Sequence, residues 1–266
     1  MNNKTFLIDI NGNIIEPKDL KNKFILVLDH DGIIHPNELI EEYVKKIDYR
    51  ASDEYRLALS KMMDEREPNE EELSLLIREH YFMKDQVLEE VKEEFKGKIP
   101  YDLIYTFENA YEGVLDTIRF VYVSRVFDAI ILNSHQNCQF EIDGKERFHK
   151  YYLPFLQTFY PPFHKDKFDP SLPNLLDNND RVRTHKGIYL MEQLGVTNLK
   201  GFYAVDDGYH ICKEYNECGA KSFYKAPGLT SSAVIMQAAS AAYNDRRKLI
   251  NDEEDDKGRG AYRKVR

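Results

Sequence analysis

The chain has 266 residues, 42% of them hydrophobic and 12% aromatic, enough for one sizeable core with a smaller attached unit. Its formal charge of −9 argues against broad electrostatic binding to nucleic acid or to anionic lipid. No apolar run approaches the ~20 residues of a membrane span, so no membrane partner is expected.

The opening MNNKTFLIDINGN lacks the basic-then-apolar order of a signal peptide, and the expected location is cytoplasmic. Cys138, Cys212 and Cys218 make no disulfide framework and are read as reduced structural thiols.

In chain order, Phe6–Ile10 and Asn13–Ile15 flank Asn11-Gly12, a hairpin signal. Asp9, Asn11 and Asn13 have the spacing of a calcium loop. That loop needs Gly and Glu where Ile14 and Leu20 stand, so calcium is rejected. Phe24–Leu28 is a continuous apolar run that reads as a strand buried on both faces; it ends abruptly in Asp29-His30-Asp31-Gly32.

Residues 37–96 carry helical periodicity, with breaks near Pro68-Asn69 and Gly97. Within 38–98 there are 18 Asp and Glu against 11 Lys and Arg, a balance of −7 that reads as a solvated helical face.

A helix over 109–125 leads into a second buried strand, Ala129–Leu132, ending in Asn133-Ser134. A helix is expected from Lys145 to Gln157, then irregular chain over Phe159–Leu176, where prolines interrupt aromatics that read as packing groups. Residues 185–194 read as a helix stopped by Gly195. Gly201–Val205 is a third strand, ending in Asp206-Asp207. A helix to about Cys218, a fourth strand at Lys221–Tyr224 and a last helix at Ser231–Tyr243 complete the pattern.

Strands alternating with helices, with polar residues at strand ends, mean an α/β fold with a doubly wound, Rossmann-like parallel sheet. The expected core is 1–36 plus 106–245, with 1–22 as a hairpin extension. Residues 37–105 read as one inserted helical unit, and 246–266 as a charged tail without structure.

Ligands of such sheets bind outside the carboxyl ends of the strands. Here three strands end in Asp29 with Asp31, Asn133 with Ser134, and Asp206 with Asp207, and Lys186 opens a helix on the same side. The segments LVLDHDGII, AIILNS, THKGIYLMEQLGV and FYAVDDGYHICKEYNECGAKSFY resemble, in order, the four motifs of the haloacid dehalogenase (HAD) superfamily of aspartate-nucleophile hydrolases. The resemblance runs from about residue 23 to 226.

It implies a Mg²⁺-dependent phosphohydrolase in which Asp29 attacks phosphorus to form an aspartyl-phosphate and Asp31 is the general acid and base. Mg²⁺ would be held by Asp29, the backbone carbonyl of Asp31, and Asp206, with Asp207 as a further ligand or an anchor. Lys186 and either Ser134 or Asn133, of which Ser134 is preferred, would bind the phosphoryl oxygens. Asp31 favours phosphoester over carbon–halogen cleavage, because halide leaves without protonation.

The resemblance also implies that residues 37–105 are a helical cap over the site. The expected substrate is a small phosphorylated metabolite or nucleotide selected by that cap, toward which His35, Arg50 and Arg56 could reach; packing or solvation is the plainer role for each. A polynucleotide end phosphatase is one alternative, which the acidic surface weighs against. The other is a non-catalytic protein of the same fold serving an assembly. The sequence gives no oligomeric state.

Overall fold

The computed structural model describes residues 5–37, 101–136, 139–162 and 184–263. The proposed cap therefore lies almost wholly outside the described residues, as do Arg50, Arg56 and Cys138.

The first two strands, β1 (Leu7–Ile8) and β2 (Ile14–Ile15), form the expected antiparallel hairpin. The Asp9 carboxylate accepts from the backbone N–H groups of Asn11 and Asn13, each at 2.8 Å, and so holds the turn. Strand β3 (Ile25–Leu28) follows. The chain re-enters at α1 (Tyr101–Ile104) and continues through α2 (Val114–Ser124), β4 (Ala129–Asn133) and α3 (Gln139–Tyr152). After β5 (Gln157–Phe159) come α4 (Lys186–Leu194), β6 (Phe202–Asp206), α5 (Tyr209–Glu217), β7 (Lys221–Tyr224) and α6 (Ser231–Arg263).

The five long-range strands are all parallel, in the order β5-β4-β3-β6-β7. Residues of β3, β4 and β6 alternate between two cores, as a pleat with period two requires. Leu26, Leu28, Ile130, Leu132, Tyr203 and Val205 pack with Tyr101, Ile104, Ile118, Phe148 and Ala238. Ile25, Val27, Ala129, Ile131, Phe202 and Ala204 face the other way, onto Leu190, Leu194, Ile211, Tyr215 and the hairpin's Leu7 and Ile15. Each fully buried Leu or Ile contributes about 1.5–3 kcal/mol, so a sheet covered on both faces is the stable solution for such apolar runs.

Several boundaries differ from expectation; α2 begins at Val114 instead of 109, and α3 ends at Tyr152 instead of Gln157. The core resumes at Tyr101, not 106, because Tyr101, Ile104 and Tyr105 are buried in it. Helix α3 begins six residues before Lys145, at Gln139, and holds Gly144 inside it. A Cβ at Gly144 would lie 2.9 Å from Tyr101 Cβ and 3.1 Å from the Tyr105 ring, so this glycine lets α3 approach α1 and the residue that follows it. The edge strand β5 occupies part of the stretch expected to be irregular; three residues ahead of Pro161-Pro162 suffice for an edge position.

Last, α6 runs to Arg263 instead of ending at Tyr243, so the segment expected to lack structure continues the helix. Asp245 accepts a 2.7 Å bond from the Tyr203 hydroxyl and pairs with Lys221, while Arg246 pairs with Asp128 at 2.9 Å. These contacts carry the helix past its apolar face, and the Glu, Lys and Arg that follow are good helix formers. Among the described residues, no helix is long and apolar enough to cross a membrane. Cys212 and Cys218 are buried free thiols.

Candidate active site

Strand β3 lies between β4 and β6 in register, with Leu28 opposite both Leu132 and Val205. That register sets Asp29, Asn133 and Asp206 side by side at the carboxyl ends of three adjacent strands. The Asp29 N–H donates to Val205 O at 3.0 Å, fixing the first residue beyond the strand. The chain then folds back: the N–H groups of Ile34 and His35 donate to His30 O, and that of Gly32 donates to His35 O.

Lys186 is the first residue of α4, and the His185 imidazole before it accepts from Ile188 N–H. Its ammonium reaches Asp29 Oδ2 and Asp206 Oδ2, each at 2.8 Å, and is buried with them. A cation at a helix N-terminus opposes the helix dipole by about 0.3–1 kcal/mol, an effect that two close carboxylates outweigh. Burial raises the pKa of Asp29, and the Lys186 charge more than reverses this, so the carboxyl stays below its ordinary value. Burial pushes Asp206 up to about 7 despite Lys186, because Asp29 adds its own negative charge.

Ligand oxygens of Asp29, Asp206 and Asp207 all lie within 4.8 Å of one another. One ammonium serves two of these carboxylates, and the third, Asp207, accepts from the Asn37 amide at 2.7 Å. Three oxygen donors carrying surplus negative charge suit a hard divalent cation such as Mg²⁺.

The pleat separates Asn133 from Ser134. Asn133 uses its amide within the fold, donating to Lys186 O at 3.2 Å and to the Tyr215 hydroxyl at 2.7 Å. These two bonds brace the start of α4. Ser134 is anchored to the edge strand through a 3.1 Å bond from its N–H to Phe159 O. Its hydroxyl donates to His135 O at 3.4 Å and accepts from Lys145 Nζ at 3.3 Å, and it lies near enough to Asp29 to help lower that carboxyl's pKa.

Asp31 stands apart from the three clustered carboxylates. Lys145, fully buried on α3, donates to its Oδ2 at 2.5 Å, and the Tyr105 hydroxyl donates to its Oδ1 at 3.3 Å. Burial lifts its pKa to about 7, with Lys145 pulling against the shift and the charges of Glu141 and Asp29 adding to it. With 19% of its side chain exposed, against 9% for Asp29 and 2% for Asp206, it is more open to an arriving group than either of these.

Lys145, Glu141 and Tyr105 are site neighbours that the sequence reasoning missed. Their signal was the i, i+4 spacing Glu141, Lys145, His149, visible only if the helix begins ahead of Gly144. Beneath the loop, His149 and His30 meet at 2.9 Å, His30 and His35 at 2.9 Å, and His35 Nε2 donates to Thr106 O at 2.8 Å. His35 is thus a buried brace, as its packing role foresaw, and does not reach toward substrate.

No protein-family model matches the chain, and no curated protein matches its sequence. Among solved structures, the fold is similar to a haloacid dehalogenase-like protein of Burkholderia xenovorans LB400, at 15% identity over 76% of this chain and 82% of that one, with a TM-score of 0.40. A haloacid dehalogenase-like family hydrolase of Streptococcus pneumoniae gives 9% identity over 81% and 90%, with a TM-score of 0.42. A HAD-superfamily hydrolase of Geobacter sulfurreducens gives 14% identity over 79% and 90%, with a TM-score of 0.36. The likeness is distant, and the chemistry of the site rests on its own residues.

Proposed function

We propose that the chain is a phosphohydrolase that cleaves a phosphomonoester through an aspartyl-phosphate on Asp29. The supporting observation is the meeting of Asp29, Ser134, Lys186 and Asp206 at the ends of three adjacent parallel strands, with Asp31 beside them in a different setting. Two carboxyl groups whose surroundings push their pKa values apart divide naturally into a nucleophile and an acid.

Lys186 keeps Asp29 ionised, so one of its oxygens can attack phosphorus as the bond to the leaving oxygen breaks. Asp31 gives its proton to that departing alkoxide and the alcohol leaves. Water then attacks the phosphorus of the aspartyl-phosphate while Asp31 takes a proton from it, which releases inorganic phosphate and restores both carboxyl groups. Ser134 and Lys186 donate hydrogen bonds to phosphoryl oxygens where negative charge gathers. Mg²⁺, held by Asp29, Asp206 and Asp207, would supply further positive charge against the phosphoryl group when bound.

The substrate class we propose is a small phosphorylated metabolite or nucleotide. The test is a phosphate-release screen over nucleotides, sugar phosphates and phosphorylated oligonucleotides, with Mg²⁺ and with EDTA. Mg²⁺-dependent release from small esters supports the reading, and release from oligonucleotides alone transfers it to a polynucleotide end phosphatase. No release from any ester, by protein that binds Mg²⁺, would leave the fold a binding module.

A further inference from the structure

Helix α3 sends a second buried lysine into the site, one that no motif of the resemblance accounts for. The Lys145 ammonium contacts four acceptors: Asp31 Oδ2 at 2.5 Å, Glu141 Oε1 at 2.7 Å, His135 O at 3.1 Å and Ser134 Oγ at 3.3 Å. Its three N–H groups are therefore fully committed. Glu141, one helical turn earlier and equally buried, fixes the ammonium from behind. Gly144 between them draws the helix against Tyr101 and Tyr105, and the Tyr105 hydroxyl holds the other Asp31 oxygen.

We propose that Lys145 is a positioning residue that decides which oxygen of Asp31 carries the catalytic proton. This rests on the phosphohydrolase reading above. A charged ammonium at 2.5 Å stabilises negative charge on Oδ2 far more than a neutral hydroxyl at 3.3 Å does on Oδ1, so Oδ2 is the oxygen that stays unprotonated. The proton of the acid form therefore resides on Oδ1. There the Tyr105 hydroxyl can donate to the oxygen while the O–H points to the leaving group. In the second half of the reaction the same oxygen takes the proton from water, so one atom serves both steps and the carboxyl need not rotate. Lys145 itself, with no N–H to spare, takes no share in binding the phosphoryl group.

The experiment uses a series of substituted phenyl phosphates, whose leaving phenols differ in how much they need protonation. The quantity read is the dependence of kcat/KM on phenol pKa. Lys145→Met should steepen that dependence: about 10²-fold loss for phenyl phosphate, the low end of a general acid's worth, and under about threefold for p-nitrophenyl phosphate. Asp31→Asn should steepen it the same way, and the double variant should be no steeper than Asp31→Asn alone. Because Lys145→Met strands Glu141 as a buried charge, Lys145→Met/Glu141→Gln is made beside it, with circular dichroism as the fold check; the same steepening is expected.

An equal loss for every ester, or a KM rise shared by all, would overturn the inference, making Lys145 a scaffold or a phosphoryl ligand. If the unaltered protein releases phosphate from none of these esters, the phosphohydrolase reading falls and this inference with it. If it releases phosphate and the slopes of wild type and Lys145→Met are parallel, only the role of Lys145 falls.

Discussion

The carboxylate of Asp207 occupies the space that a side chain at Gly32 would fill. A Cβ built on Gly32 falls 2.0 Å from Asp207 Oδ2, and the φ of Gly32 is +77°. Only glycine meets both conditions without strain. Gly32→Ala should therefore cost about 1–3 kcal/mol for the backbone alone, and should also displace Asp207 from Asp29 and Asp206. Isothermal titration with Mg²⁺ should show weakened binding, while Gly195→Ala, at a helix end remote from the carboxylates, should lower stability and leave Mg²⁺ binding unchanged.

Asp29→Asn should abolish phosphate release and keep the fold, because the amide retains the shape but not the nucleophilic charge. Asp31→Asn should slow turnover of esters with poor leaving groups by ~10²–10⁴. Steady-state kinetics and a thermal melt on both variants check this. Full turnover by Asp29→Asn would mean that water attacks phosphorus directly.

Removing Lys186 should turn the protein into one that depends on divalent cation for stability. Lys186→Met leaves Asp29 and Asp206 buried with no ammonium between them, a loss of about 3–5 kcal/mol for a broken buried pair. Urea denaturation in EDTA should show that loss, and millimolar Mg²⁺ should restore part of it. Equal stability of the variant with and without Mg²⁺ would remove the cation from the proposal.

Burial lowers the pKa of all three imidazoles below the loop: His149 to about 3, His35 to about 4, and His30 well below its ordinary value. A base whose folded pKa is depressed stabilises fully above the unfolded value, ~6.5, and loses that contribution as pH falls through the window below it. At pH 5.5, one unit below that value, each histidine should have withdrawn about 1.4 kcal/mol. Because Asp31 and Asp206, raised to about 7, gain stability over the same range, the histidine contribution is read as a difference: between pH 7 and 5.5 the urea midpoint of His149→Phe should rise relative to that of the unaltered protein. Parallel midpoints for the two proteins across that range would contradict the neutral, buried state of His149.

What could be read from the residues was whatever a local pattern encodes. The runs Ile25–Leu28, Ala129–Asn133 and Phe202–Asp206 are apolar at every core position, so their strands and the polar groups at their ends were plain. Strand β5 has only Gln157, Thr158 and Phe159 and owes its existence to pairing with β4, which no window of sequence contains. The choice between Asn133 and Ser134 turns on the pleat: Asn133 shares the face of Ala129 and Ile131, toward Tyr215. Lys145 was missed because its partner lies 114 positions away and Gly144 concealed the helix that carries it.

The imidazole chain is a brace and cannot act as a proton wire. Thr106 O can only accept, so His35 Nε2 holds a hydrogen and His35 Nδ1 accepts from His30 Nε2. His30 Nδ1 in turn accepts from His149 Nε2, which leaves the buried His149 Nδ1 as the one vacant acceptor. A proton entering there would have to hop through three rings and emerge onto a peptide carbonyl, which is far too weak a base to take it. Conduction through the interior is therefore blocked at Thr106. On the proposed mechanism, the proton that Asp31 gives up and recovers therefore does not pass through this chain of rings.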